Sequence, residues 1–225
     1  SPDGKILCLI SEISYQKADR VDHTILQVWD IQTGQMLKNQ SFKAGWHHLQ
    51  VSFSPDSKYL VSRIDTFRTT AQGKEDRPIA GTMIRAWQMH TWFVTVNLLE
   101  ETGGGQMLSD GTRTGVQLLL SEDSKRLMMY QPNVDYKIRP RIYELRTGKV
   151  LQRIRNIGVP SSDWKYLVSS RYNESHFSLL DIQTDQDILY QKGHQSKEEP
   201  KFSPDGRYLA TWSEEAQFVN VWDIS

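Results

Sequence analysis

Apolar residues in this chain come in short runs, each closed by turn-forming residues, and the same run-and-turn phrase returns five times. The second copy shows the grammar in full. Leu49-Gln50-Val51-Ser52-Phe53 is an apolar run stopped by Ser54-Pro55-Asp56-Ser57. Proline presets the dihedral of a turn and aspartate hydrogen-bonds its own backbone, so this tetrapeptide predicts a tight reversal. Tyr59-Leu60-Val61-Ser62 then predicts a second strand, Thr82-Met83-Ile84-Arg85-Ala86-Trp87 a third, and Phe93-Val94-Thr95-Val96-Asn97-Leu98 a fourth, rich in β-branched and aromatic types. Few of these windows alternate cleanly, as expected for strands covered on both faces. Helical periodicity is essentially absent, so the fold class is all-β.

The same phrase opens the chain as Ser1-Pro2-Asp3-Gly4-Lys5-Ile6-Leu7 with Leu26-Gln27-Val28-Trp29-Asp30, and ends it as Phe202-Ser203-Pro204-Asp205-Gly206-Arg207-Tyr208-Leu209 with Val219-Asn220-Val221-Trp222-Asp223. Two worn copies lie between: Leu120-Ser121-Glu122-Asp123-Ser124-Lys125-Arg126-Leu127 with Arg141-Ile142-Tyr143-Glu144, and Ser161-Ser162-Asp163-Trp164-Lys165-Tyr166-Leu167 with Ser178-Leu179-Leu180-Asp181. Self-similarity at this period is the signature of a repeat architecture, one continuous array over 1–225. Five four-stranded units follow, at approximately 1–42, 43–101, 102–155, 156–191 and 192–225, the first lacking its first strand and the last its fourth. The third strands are expected to close at Trp29, Trp87, Tyr143, Leu180 and Trp222.

These turns and closures resemble the WD-repeat β-propeller family, whose four-stranded blades carry a Ser-Pro-Asp-Gly turn and a Trp-Asp pair ending the third strand. The resemblance covers nearly the whole chain and is strongest in the first, second and fifth copies. It implies a β-propeller, and the incomplete end blades imply a fragment of a longer one, about seven blades by family resemblance. The family also sets a Gly-His pair ahead of the first strand, matched by Gly193-His194 and loosely by Gly45-Trp46-His47. In the family that histidine bonds through a strand Ser or Thr to an acidic residue and the tryptophan, which implies a structural set of His194, Ser213 and Trp222, with Glu214 or Glu215 as the acid. Trp29, Trp87 and Trp222 are expected to be structural and buried between blades.

Composition changes the picture mainly by exclusion. The 225 residues carry 27 Lys+Arg and 27 Asp+Glu, so no global field draws the chain to nucleic acid or an anionic membrane. The single cysteine, Cys8, lies in the apolar run Ile6–Ile10, which predicts an inert thiol, no internal disulfide and a cytoplasmic setting. No apolar stretch approaches the roughly 20 residues a membrane span needs. There is no Gly-x-Ser-x-Gly elbow. Gly103-Gly104-Gly105 lacks the downstream Gly-Lys of a phosphate loop, and the adjacent His47-His48 would point to opposite faces of a strand. Asn173-Glu174-Ser175 is a glycosylation sequon with no secretory context. Catalysis, cofactors and metals are not expected.

Spacing is the better functional clue. From the turn aspartate to the closing position, the fourth and fifth copies span 18 residues (163 to 181, 205 to 223), the third 21 (123 to 144), the first 27 (3 to 30) and the second 32 (56 to 88). The excess falls between the second and third strands, over Glu12–His23, Ile64–Gly81 and around Gln131–Pro140. Insertions on one face of a repeat array commonly mark its binding face. These carry Tyr15, Arg20, His23, Phe67, Arg68, Arg77 and Tyr136, with Trp46 in the connector between the first two blades; aromatic and cationic types are enriched at interface anchors. A basic run, Lys137, Arg139, Arg141, Arg146, Lys149, Arg153 and Arg155, reads as a solvated outer face beside the acid-rich fourth and fifth copies.

The function expected is therefore a non-catalytic scaffold or sensor propeller that docks other proteins or other domains of its parent chain, in the style of a larger bacterial signalling protein. The alternative is an accessory propeller of a hydrolase whose catalytic domain lies outside this sequence.

Overall fold

A computed structural model describes residues 1–14, 21–43, 48–69, 75–100, 116–130, 139–170, 176–192, 200–213 and 218–224. Among them every regular element is a strand, arranged as five antiparallel sheets in chain order. The first sheet is β1 (Ile6–Ser14), β2 (Val21–Asp30) and β3 (Met36–Lys43). The second is β4 (His48–Phe53), β5 (Tyr59–Thr69), β6 (Glu75–Gln88) and β7 (Phe93–Glu100). The third is β8 (Gln117–Leu120), β9 (Arg126–Tyr130), β10 (Arg141–Glu144) and β11 (Val150–Arg153). The fourth is β12 (Val159–Pro160), β13 (Tyr166–Ser170), β14 (His176–Asp181) and β15 (Gln186–Lys192). The fifth is β16 (Lys201–Phe202), β17 (Tyr208–Ser213) and β18 (Phe218–Asp223). Within each sheet every strand pairs with its sequence neighbour. Trp29, Trp87, Tyr143, Leu180 and Trp222 all stand at the penultimate residue of their strand.

The turn entering each second strand is built alike. In the second sheet Ser54 Oγ donates to Asp56 Oδ1 (2.7 Å), Asp56 Oδ1 accepts the Lys58 N–H (3.0 Å), and Ser54 Oγ accepts the Tyr59 N–H (2.9 Å). Ser121 with Asp123, Ser161 with Asp163 and Ser203 with Asp205 repeat the arrangement. The residue after the aspartate takes a positive φ in all five copies: Gly4, Ser57, Ser124, Trp164 and Gly206. Serine keeps that strained place in two copies for a reason: Ser57 Oγ accepts the Asp3 N–H (3.1 Å) and Ser124 Oγ the Asp56 N–H (2.9 Å), tying each turn to the one before.

The same geometry sets a pH response. Partial burial works to raise the carboxyl pKa of Asp56 and Asp123, but the hydroxyls of Ser54 and Ser121 and the backbone N–H groups of Lys58 and Lys125 outweigh it and hold both below the ordinary value. A carboxylate depressed in the folded state contributes stability that is complete above its unfolded pKa, about 3.9, and is lost as pH falls through the folded value. The urea midpoint is therefore expected to fall below about pH 4, and to fall less steeply in Asp56→Asn.

The chain divides into two compact units, each described by itself. In the first (Ser1–Leu127, Gln131–Asp135, Glu144–Lys149), Leu26, Val28 and Phe42 of the first sheet pack on Leu49, Leu60, Ile64 and Trp87 of the second. In the second (Met128–Tyr130, Tyr136–Tyr143, Val150–Ser225), Val168, Phe177 and Leu179 of the fourth sheet pack on Leu209 and Trp222 of the fifth. The Phe177 and Trp222 rings meet edge to face, with centroids 5.6 Å apart. Trp87 is buried, whereas Trp29 and Trp222 are half-buried.

Candidate interaction surface

The two insertions expected as loops continue the ladder instead. Pairing of β1 with β2 runs from Ile6↔Asp30 out to Ser14↔Val21. Pairing of β5 with β6 runs from Tyr59↔Gln88 out to Thr69↔Glu75. The last residue of β5 paired with β4 is Asp65, and the first of β6 paired with β7 is Thr82. Among the described residues, β5 and β6 stay paired from Thr66↔Gly81 out to Thr69↔Glu75. Thr66, Phe67 and Thr69 favour an extended backbone, which is why the ladder persists. It slips between Thr66 and Phe67 and again between Phe67 and Arg68, where Phe67 pairs with Ile79 but Arg68 with Asp76. Arg77 and Pro78 are thereby left over, and proline has no N–H to give a ladder.

The ribbon brings Phe67, Arg68 and Arg77 into one element, the first two on β5 and the third in the irregular stretch opposite. His23 lies on β2, paired with Ile13 and Lys43. Tyr15, Arg20, Trp46, Tyr136 and His194 lie outside the described residues, as do Gly103–Gly105 and Asn173–Ser175. The side chains of His23, Phe67, Arg68, Arg77 and Ser213 likewise lie outside what is described. Both insertions interrupt the same strand-to-strand connection in sheets whose faces stack, so the two hairpins belong to equivalent places in successive repeats.

The Trp222 indole Nε1 donates to Thr211 Oγ1 (3.0 Å). The register pairs Leu209 with Trp222, so Thr211 is the diagonal neighbour on that face, while Ser213 pairs with Phe218 at the far end of the ladder. In the first sheet Leu7 pairs with Trp29 and Leu9 takes the place of Thr211, so the buried Trp29 Nε1 has no acceptor among the described residues.

Arg155, at the end of the basic run, meets acids of the fourth sheet. Arg155 Nη2 lies 2.9 Å from Asp187 Oδ2, and the Arg155 N–H donates to Asp185 Oδ1 at 3.1 Å. Both side chains of the ion pair are partly exposed, so it orders the surface more than it stabilises the fold. Burial raises the Cys8 thiol to about 11, which leaves it protonated and a poor nucleophile. Among the described residues, no three histidine, cysteine or acidic side chains converge as metal ligands.

No family model matches the chain, and no curated protein matches it. Among solved structures, a Kuenenia stuttgartiensis hydrazine synthase is similar over 100% of this chain and 70% of its own, at 15% identity and a TM-score of 0.51. TolB from Acinetobacter baumannii is similar over 99% of this chain and 50% of its own, at 19% identity and a TM-score of 0.41. Both are β-propeller proteins, and at such identities the first likeness speaks to fold alone. Together with the repeated antiparallel sheets, it makes this an all-β chain of β-propeller fold.

Proposed function

We propose that the five repeats are blades of a WD-repeat type propeller, and that the protein is a non-catalytic scaffold docking other proteins or other domains of its parent chain in the cytoplasm. The observation that supports this best is the extension of the β5–β6 ladder from Thr66↔Gly81 out to Thr69↔Glu75, in the repeat with the longest insertion. Insertions on one face of a repeat array commonly carry its binding residues. Phe67, Arg68 and Arg77 give it anchor chemistry, and the β1–β2 hairpin with Tyr15, Arg20 and His23 occupies the equivalent place one repeat earlier. Equal numbers of acidic and basic residues fit neither a nucleic-acid nor a membrane surface as the partner.

The test shortens both hairpins. Residues 66–81 and 14–21 are each replaced by a two-residue turn, and bound proteins are compared with wild type by quantitative pull-down, with circular dichroism checking the fold. Loss of the bound set on shortening, with the β-spectrum intact, is the expected result. Unchanged recovery would place the binding face elsewhere.

A further inference from the structure

The joint between the first and second sheets lies wholly inside the first compact unit, and the register fixes which side chains face it. On the first sheet Leu26 and Val28 face the joint. Phe42, Gln40 and Lys38 of β3 share that face, because they pair with Thr24, Leu26 and Val28. On the second sheet Leu60, Ser62 and Ile64 of β5 face it, with Trp87, Arg85 and Met83 opposite them on β6. One strand further out, Val94, Asn97 and Leu99 of β7 stand opposite Trp87, Arg85 and Met83 and so turn the same way.

This joint is closed over three strands of the second sheet and open at the fourth. Leu49 of β4, Leu60, Ser62 and Ile64 of β5 and Trp87 of β6 are buried. On β7 the same face is exposed, with Leu99 67% and Val94 36% accessible and Asn97 exposed between them. Lys38 and Gln40, on the outer strand of the facing sheet, are half-buried, and Met83 packs on the core behind Leu99. Solitary exposed apolar residues are ordinary, but these continue the face of a buried joint. The charge at this margin is positive. Arg85 Nε donates to Asn97 Oδ1 (3.1 Å), and among the described residues neither Arg85 nor Lys38 makes an ion pair. Asp30, at the turn end of the first sheet's face, spends its carboxylate on the Thr33 N–H (2.8 Å).

We propose that this open margin takes an extended segment of another protein, one in which apolar and acidic residues alternate. From Val94 to Leu99 the margin is about 17 Å long at about 3.3 Å per residue, the reach of some five residues of extended chain. Val94 and Leu99 offer apolar contact to side chains on one face of such a segment, while Arg85 and Lys38 supply cations for its carboxylates. Two cations beside an exposed leucine and valine suit a peptide better than a nucleic acid, whose phosphates call for a longer basic track. They also fall short of the clusters of about 4–8 cations that hold a protein on an anionic membrane. The surface uses no residue of the two insertions and is independent of the one proposed above.

Fluorescence anisotropy on the full chain tests it with a dye-labelled peptide of alternating leucine and aspartate. A peptide with lysine in place of aspartate and a single-stranded oligonucleotide are the comparison probes. The acidic peptide is expected to bind saturably, and Leu99→Ser and Lys38→Glu/Arg85→Glu are each expected to weaken it at least about tenfold. The charge-reversed variant is expected to take up the lysine peptide that wild type refuses, a gain that an unfolded protein could not show. The variant with residues 66–81 shortened keeps this margin and is expected to bind the acidic peptide as wild type does, so the two surfaces fail or stand separately. No saturable binding of the acidic peptide, tighter binding of the oligonucleotide, an affinity unmoved by Leu99→Ser, or no gain of the lysine peptide on charge reversal would overturn the proposal.

Discussion

Trp87→Ala is expected to destabilise the first compact unit by about 3–5 kcal/mol, the range for deleting a large aromatic from a packed core. Trp87 is 3% exposed and sits among Leu26, Val28, Leu49, Leu60 and Ile64, so its removal leaves a cavity lined by two sheets at once. On β6 it pairs with Leu60 on one side and Val94 on the other, and the ladder slips immediately before it, between Ala86 and Trp87. That slip fixes the backbone around the indole, so neighbouring side chains cannot simply close in. The loss is a large share of the roughly 5–15 kcal/mol available to a folded protein, and it shows directly in the urea midpoint. Trp29→Ala serves as the internal comparison. It removes the same side chain from the equivalent position of the first sheet, where the ring is half-buried and its Nε1 has no acceptor among the described residues, so a clearly smaller loss is expected. A Trp87→Ala loss under about 1 kcal/mol would show that the joint between the first two sheets does not rest on this residue.

Where the chain could be read and where it could not follows from how local each signal is. The Ser-x-Asp turns were legible because serine and aspartate close the turn with their own side chains, within five residues of sequence. The strand closures were legible even where tryptophan is missing, since Tyr143 and Leu180 are apolar and end up buried as Trp87 does. Trp164 was placed in its turn by the repeat and not by local preference: a bulky side chain at φ +59° is unusual, and here it is buried at 5% exposure while its N–H donates to the Ser161 carbonyl at 2.9 Å. Register was hidden. That the Trp222 indole reaches Thr211 follows from the pairing of Leu209 with Trp222, which no local signal fixes. The insertions were read as loops because spacing marks extra residues without saying whether they pair, whereas the β5–β6 ladder absorbs Pro78 by slipping past it. For the proposed interaction surface, spacing singled out the segment but gave no indication that it was a paired ribbon.

Gly158 is the position where sequence alone gives least warning and the expected effect is large. It precedes β12, whose two residues pair Val159 with Val168 and Pro160 with Leu167. A Cβ built on Gly158 would lie 2.1 Å from the carbonyl oxygen of Val168, 2.7 Å from its carbonyl carbon and 3.1 Å from the Cα of Ser169. All three are backbone atoms of β13, a central strand whose far side is held to β14 from Tyr166 to Ser170. No side-chain rotation can relieve the overlap. Either β12 moves off the sheet, or β13 moves and disturbs the core that Val168 shares with Phe177, Leu179 and Leu209. Overpacking of this kind costs about 1–3 kcal/mol when neighbours can shift, and an immovable strand places Gly158→Ala at the upper end, about 3 kcal/mol. Gly34→Ala separates this contact from the general effect of losing a glycine. Gly34 has φ +69° and open space around its Cβ direction, so only the backbone penalty of about 1–2 kcal/mol remains there. Hydrogen exchange distinguishes the two cases further. Gly158→Ala is expected to release protection at Val159 and Val168, whereas Gly34→Ala leaves the fourth sheet unchanged. Equal midpoints for the two variants, with β13 still protected in Gly158→Ala, would mean that the strand yields and that the close approach is not a constraint on the fold.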